Sequence, residues 1–315
     1  MSELTVAAID CGTNSVRLLV ARGDGSGPFT EVARELHLTR LGQGVDATGK
    51  FAPEALDRTL AALDDFAGRI ADASAERVRF VATSAARDAG NRDAFFEGVR
   101  QRLGVDAEII SGDEEARLSF VGALSAAASV TAPALVMDIG GGSTELVLGT
   151  LSGGRPEVTA ARSLDMGSVR VRERFLHSDP PTAEEIAAAT AFVDALIDDS
   201  GVDVAAARTW FGVGGTATSL AAIVQGLTTY DRRAVHGSTV THDELDAVTA
   251  RLLSTPVAEV LRIPSLQPKR ADVICAGALI AARVGARVEA PLSVSESDIL
   301  DGLVLDLLAD SGRLG

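Results

Sequence analysis

Short apolar runs recur along the chain, and several end abruptly in a polar, glycine-rich turn. Leu4 to Ile9 (LTVAAI), Ala134 to Met137 (ALVM) and Leu146 to Leu148 each have the length of a buried strand. Residues 4 to 40 read as a strand meander, with turn residues at Gly23 to Gly25 and Gly27-Pro28 before Phe29 to Thr39. Pro53 opens a helix in which Leu56, Leu60, Leu63, Ala67 and Ile70 recur at helical spacing, so one face packs on a sheet. Arg77 to Thr83 alternates polar and apolar as a strand does, and the next helix carries Phe95, Phe96, Val99 and Leu103 and stops at Gly104. Strands are expected again over Glu157 to Leu164, Arg208 to Gly214 and Leu292 to Val294. Helices are expected over Thr182 to Ile197, Thr216 to Val224, Thr241 to Leu253, Gln267 to Ala282 and Ser297 to Leu308.

The turn between Met137 and Leu146 holds the densest chemistry: Asp138, Gly140, Gly141, Gly142, Ser143, Thr144 and Glu145. Three glycines between strands allow positive φ and close approach, so that backbone amides line an anion, with the two hydroxyls as further donors. Asp138 and Glu145 would repel a naked phosphate, and belong beside one if a hard divalent cation stands between them. Taken by itself, the stretch also fits an ordinary glycine-rich hairpin with polar decoration. The N-terminus repeats it: Asp10 falls on Asp138, Gly12 on Gly140 and Ser15 on Ser143 at one offset, and Leu18 and Val20 fall on Leu146 and Leu148. A third cluster, Gly212 to Thr216, follows Trp210 and Phe211 and leads into a helix.

Ser111 and Glu114 have capping-box spacing, as do Thr182 with Glu185, Thr241 with Glu244 and Ser295 with Asp298. A helix start therefore accounts for Glu114. Glu115 is left over, turned about 100° further around the helix and free to face a cleft.

At 315 residues the chain has room for two domains of roughly 150 residues. Aromatics are only 4% against 46% hydrophobic residues, so the cores must be aliphatic. A formal charge of −15 argues against nucleic-acid binding, which needs a positive track along the phosphates. A polyanionic ligand must then be gathered by a few local cations. Cys11 and Cys275 are too few for a disulfide framework, which fits a reducing cytoplasm. Neither a basic leader with an apolar run nor a stretch of ~20 uncharged apolar residues is seen, so no membrane span is expected.

Asp10 to Leu18 (DCGTNSVRL), Thr83 to Ala89 (TSAARDA), Ser111 to Leu118 (SGDEEARL), Asp138 to Glu145 (DIGGGSTE), Leu164 to Val169 (LDMGSV) and Gly212 to Ser219 (GVGGTATS) together resemble one family, that of exopolyphosphatases and guanosine pentaphosphate phosphohydrolases. It is a branch of the actin, sugar-kinase and heat-shock-chaperone ATPase superfamily, and the match runs nearly the whole chain. The resemblance implies an α/β fold of two actin-like (ribonuclease H-like) domains with a cleft between them. Residues 1–124 would form the first, with helix 297–315 packing back on it, and residues 125–296 the second.

It further implies hydrolysis of a terminal phosphoanhydride, with Glu115 as the base that activates water. Gly12, Thr13, Asn14, Ser15, Arg17 and Arg87, with Gly140, Gly141, Gly142 and Ser143, would hold the terminal phosphoryl group; without the resemblance Arg87 reads as a solvated helix-start residue. Gly214, in the turn that holds adenosine in nucleotide-binding relatives, would join the phosphate-binding residues. Lys269 and Arg270 oppose a helix dipole and suit a polyanion, and the resemblance favours Arg270. Asp138 and Glu145, joined by Asp10, would hold Mg²⁺ or Mn²⁺. Inorganic polyphosphate is the expected substrate, short rather than long because longer relatives append a helical domain that grips long polyphosphate. Guanosine tetra- or pentaphosphate and a homodimer are left open as partners. The rivals are an ATPase or sugar kinase, and a sensor that binds polyphosphate or an alarmone without turnover.

Overall fold

The computed structural model describes residues 3–25, 27–127, 129–152 and 155–311, so residues 312–315 of the expected last helix lie outside the described residues. Two compact units form, Met1–Ser125 with Ile299–Gly315, and Ala126–Asp298. The first unit contains β1 (Leu4–Cys11), β2 (Val16–Gly23), β3 (Thr30–His37), β4 (Arg77–Ala82) and β5 (Ala107–Ile109). Its helices are α1 (Val45–Thr48), α2 (Pro53–Asp72), α3 (Ser84–Asp88), α4 (Asp93–Leu103) and α5 (Gly112–Ser125). The second contains β6 (Ala134–Ile139), β7 (Thr144–Ser152), β8 (Arg155–Leu164), β9 (Thr209–Val213), β10 (Thr239–Val240) and β11 (Leu292–Val294). Around them lie α6 (Ser168–Phe175), α7 (Ala183–Asp198), α8 (Gly214–Val224), α9 (Arg232–Val235), α10 (His242–Ser254), α11 (Val257–Val260) and α12 (Ile274–Gly285). The last helix, α13 (Ile299–Ser311), belongs to the first unit.

The sheets repeat one topology. The first runs β3-β2-β1-β4-β5, and the second, read from its β8 edge, runs β8-β7-β6-β9-β11 with β10 added. In each, the first three strands are antiparallel neighbours and the next two pair in parallel. This is the actin-like α/β arrangement in both units.

Both faces of the first sheet are covered, which is why β1 is apolar throughout rather than alternating. Ala7, Ile9 and Cys11 face a core with Leu63 and Phe66 of α2 and Phe95 of α4. Val6 and Ala8 face the other side, against Leu118 of α5 and Leu300, Leu303 and Val304 of α13. In the second unit Leu135, Met137 and Ile139 join Trp210 and the buried faces of α7, α8, α10 and α12 in a single core.

Several expected elements differ. Gln267 to Ala282 is not one helix: Pro268–Arg270 forms a 3-10 turn and α12 begins only at Ile274, so Lys269 and Arg270 do not sit at its start. Reciprocal capping boxes form at Thr182 with Glu185 and at Thr241 with Glu244. Ser295 caps nothing, because α13 starts at Ile299; its hydroxyl instead donates to Ser297 O and accepts from Ser297 N. The arginines of α6 are not a uniformly solvated face either, since Arg172 folds back onto the carbonyls of Leu176 and Ser178. Among the described residues no helix is long and apolar enough to cross a membrane, and both cysteines are free and buried.

Candidate active site

The paired turns are built alike, down to the hydrogen bonds. Gly12 N donates to Ser15 O (2.9 Å) and Gly140 N to Ser143 O (3.0 Å), closing two four-residue loops of the same register. In the first, the carbonyls of Asn14 and Thr13 accept from Arg40 N (3.0 Å) and Gly42 N (2.8 Å), beyond β3. In the second, the carbonyls of Gly142 and Gly141 accept from Gly167 N (3.2 Å) and Val169 N (2.9 Å), beyond β8. Ser168 N reaches Gly140 O at 2.9 Å as well. With the loop carbonyls turned into the protein, the amides of Thr13, Asn14 and Ser15, and of Gly141, Gly142 and Ser143, donate to no protein acceptor among the described residues. Two nests of backbone donors result, a geometry suited to phosphate oxygens. Asn14 adds a buried Oδ1 without a hydrogen-bond partner, and Thr13 Oγ1 meets Ser84 Oγ at 2.9 Å.

Positive φ is not how these turns are made. Gly12, Gly140, Gly141 and Gly142 all lie outside that region, and the left-handed glycine of the site is Gly214, φ 74°, at the start of α8. Crowding is the reason for glycine nearby: a Cβ on Gly167 would fall 2.2 Å from the Gly141 carbonyl. At Gly214 a Cβ would fall 2.6 Å from Asp138 Oδ1, so the carboxylate rests directly on the first residue of α8. At Gly215 it would meet Arg270 Nη1 at 1.8 Å, so the Arg270 guanidinium lies flat on the same turn. Asp138, Gly214 and Arg270 are thus brought together although more than fifty residues separate each from the next.

The carboxylates behave differently in the two copies. Asp10 faces Arg17 across the β1–β2 register, and Arg17 Nη2 and Nε donate to its Oδ2 at 2.6 and 3.1 Å. At the equivalent register position Asp138 faces Glu145, 9% and 1% exposed. Two like charges directly opposed across a sheet are destabilising. Ser163 Oγ donates to Glu145 Oε1 at 2.7 Å, which holds that carboxylate without neutralising it. A cation is what the first copy supplies through Arg17 and the second lacks in its cross-strand partner. Among the described residues no group of three or more His, Cys, Asp or Glu gathers as a metal cage.

Glu115 lies on the first turn of α5 and is 8% exposed. Its Oε2 accepts from Arg87 Nη1 at 2.9 Å, and the same nitrogen donates to Ile110 O at 2.9 Å. Arg87, in the last turn of α3, therefore points inward rather than into solvent. Glu114 turns the other way. Its amide donates to the Ser111 cap (Glu114 N to Ser111 Oγ, 3.2 Å), but its carboxylate accepts the Arg117 fork at 2.9 and 2.9 Å instead of closing the box. Those hydrogen bonds from Arg117 hold the Glu114 carboxyl below the usual glutamate range, against the raising effect of partial burial.

The Ppx/GppA phosphatase family pattern matches residues 19–308. The chain belongs to the Ppx/GppA phosphatase family. Exopolyphosphatase 2 of Mycobacterium tuberculosis is 46% identical over 322 aligned positions, spanning 98% of this chain and 99% of that protein. A guanosine-5'-triphosphate,3'-diphosphate pyrophosphatase of Vibrio atlanticus is 34% identical over 86% of this chain and 52% of its own length. Among solved structures, the Aquifex aeolicus PPX-GPPA enzyme is 31% identical, with a TM-score of 0.81 and coverage of 97% and 100%. An exopolyphosphatase from Cytophaga hutchinsonii, 23% identical with a TM-score of 0.88, shares the fold.

For this Ppx/GppA family member the sequence left some neighbours of the site unmarked. Ser163 lies opposite Glu145 in the β7–β8 register, two residues before the Asp165 to Ser168 turn, and only the strand pairing shows it. Arg40 and Gly42 act through backbone amides, which carry no side-chain signal at all.

Proposed function

We propose that the chain is a metal-dependent exopolyphosphatase that releases the terminal orthophosphate of inorganic polyphosphate. The observation that carries this is the twice-built turn, in which the carbonyls are turned inward and three consecutive amides are left to donate. That pattern suits a ligand presenting phosphoryl oxygens along its length, and the full-length likeness to an exopolyphosphatase supports the same substrate.

In the first unit, the amides of Thr13 to Ser15 and the remaining guanidinium nitrogens of Arg87 take oxygens of the terminal phosphoryl group, charge-assisted in the second case. Glu115, held by Arg87 at 2.9 Å, orients the attacking water and accepts its proton at Oε1 or Oε2. Arg17 acts through Asp10, whose carboxylate it holds beside the turn. In the second unit, the amides of Gly141 to Ser143 and the Arg270 guanidinium hold phosphoryl oxygens. Asp138 and Glu145 fit Mg²⁺ or Mn²⁺, because they are an opposed like-charge pair and magnesium takes only one or two carboxylates beside water and phosphate. When bound, such a cation offsets the negative charge that builds on the leaving phosphate.

Orthophosphate release from short and long polyphosphate, guanosine pentaphosphate and ATP, each with and without Mg²⁺, tests the assignment. Release from polyphosphate that requires Mg²⁺ is expected. Turnover confined to guanosine pentaphosphate would move the activity to that of the Vibrio relative. Binding without release from any of the four would make the protein a sensor.

A further inference from the structure

A cavity of about 460 Å³ in the second unit is lined by Arg232, Arg233, His236, Glu296 and Ser297, residues outside the machinery described above. Glu296 is fully engaged: Arg232 Nε donates to Oε2 at 2.8 Å, and the Tyr230 hydroxyl donates to Oε1. Burial and then the negative charge of Glu296 hold the Tyr230 phenol well above its usual range, so it stays a donor. The Glu296 amide donates to His236 Nδ1 at 3.1 Å. A neutral imidazole that accepts at Nδ1 carries its proton on Nε2, so His236 presents an N–H. Among the described residues that Nε2 has no protein partner, and the Arg233 guanidinium makes no ion pair or hydrogen bond.

What remains to meet a ligand is thus a guanidinium, an imidazole N–H and the Ser297 hydroxyl. These groups are mainly donors, and the one carboxylate here already accepts from Arg232 and Tyr230. A phosphate oxygen needs only donors. Two arginines against one glutamate also leave the lining positive in a chain of formal charge −15.

The cavity is linked to the phosphate turn of its own unit by helix α8 and Tyr230. Asp138 rests on Gly214 and Arg270 on Gly215, and Thr218, about one turn further along the same helix α8, lies beside Tyr230, whose hydroxyl donates to Glu296. We infer that this cavity is a second phosphate subsite, which holds an interior phosphoryl group of a linear polyphosphate that also engages the Gly141 to Ser143 turn of the same unit. It rests on the exopolyphosphatase reading for the identity of the polyanion, while the anion chemistry stands on the lining alone.

The test uses the full chain carrying Glu115→Gln, so that polyphosphate stays intact, and measures equilibrium affinity for pyrophosphate and for linear polyphosphates of defined, increasing length. Arg233→Ala is expected to weaken the long polyphosphates on the order of tenfold and pyrophosphate less than twofold, with His236→Gln giving a smaller loss of the same length dependence. Arg208→Ala, an exposed arginine paired with Glu289, serves as the control and is expected to change neither. An Arg233→Ala loss that is equal at every length, or no loss, overturns the subsite. Because the Arg233 side chain is exposed and its guanidinium makes no hydrogen bond or ion pair among the described residues, an unchanged melting temperature is expected and excludes misfolding as the cause. Turnover of wild-type protein is read separately. A length-dependent affinity loss with no orthophosphate release keeps the subsite and removes the hydrolase; release with no such loss does the reverse.

Discussion

At the scale of single residues, two adjacent glutamates on one helix have been given different work by one arginine each. Arg87 holds Glu115 inward, where the proposed function has it act on water, whereas Arg117 ties Glu114 to the helix surface. Glu115→Gln keeps shape and the hydrogen bond from Arg87 but cannot take a proton, so kcat is expected to fall ~10²–10⁴-fold with substrate affinity retained. Steady-state orthophosphate release checks it, and full activity in Glu115→Gln would move the base elsewhere. The opposed Asp138 and Glu145 carry a second expectation. If they bind the cation, Mg²⁺ raises the melting temperature of the wild type through preferential binding to the folded state, and Asp138→Asn abolishes that rise. A melting temperature that still responds to Mg²⁺ in both Asp138→Asn and Glu145→Gln would locate the cation at other residues.

At the scale of elements, helix starts show how far spacing alone can be trusted. A hydroxyl followed three residues later by an acid gives a closed box at Thr182 and Thr241, half a box at Ser111 and none at Ser295. The pattern states what could bond locally, and Arg117 or a later helix start competes for the same groups. Thr182→Ala and Thr241→Ala are expected to lose about 0.5–2 kcal/mol each by chemical denaturation, and Ser295→Ala is expected to show no loss of capping. Glu114 has a pH signature. Its folded carboxyl is depressed, so the unfolded chain takes up the proton first; the stability it contributes is present above about pH 4.5 and is lost as pH falls through the folded value. Glu114→Gln should therefore flatten part of the acid limb of a stability profile while leaving orthophosphate release at neutral pH intact. An acid limb identical to wild type would mean that the Arg117 fork contributes nothing to folding.

At the scale of the whole molecule, the last helix, from Ile299, belongs to the unit that the chain left at Ser125. It is held there by Leu300, Leu303 and Val304 against β1 and α5, and by ion pairs from Arg34 to Asp301 and from Arg117 to Asp306. Leu303 is fully buried, and Leu303→Ala is expected to cost about 2–5 kcal/mol, read as a shift in the denaturation transition of the first unit. A shift below about 1 kcal/mol would mean that α13 contributes little to that core.

By itself the sequence determined the elements whose signal is local and periodic: the apolar strands, the helix opened by Pro53, the boxes at Thr182 and Thr241, and the matched Asp-Gly turns that revealed a duplicated α/β unit. Apolar spacing and turn residues act on neighbours in the chain, so they can be read without coordinates. It also supplied the family resemblance that the comparisons bear out. Only the tertiary structure decided which carboxylate meets which cation. Asp10 with Arg17 and Asp138 with Glu145 occupy equivalent register positions yet differ in sign, and that difference exists only once strands pair. Likewise the turn carbonyls are consumed by backbone amides from Arg40, Gly42, Gly167 and Val169, groups identical in every residue type, and so invisible until the chain brings them there.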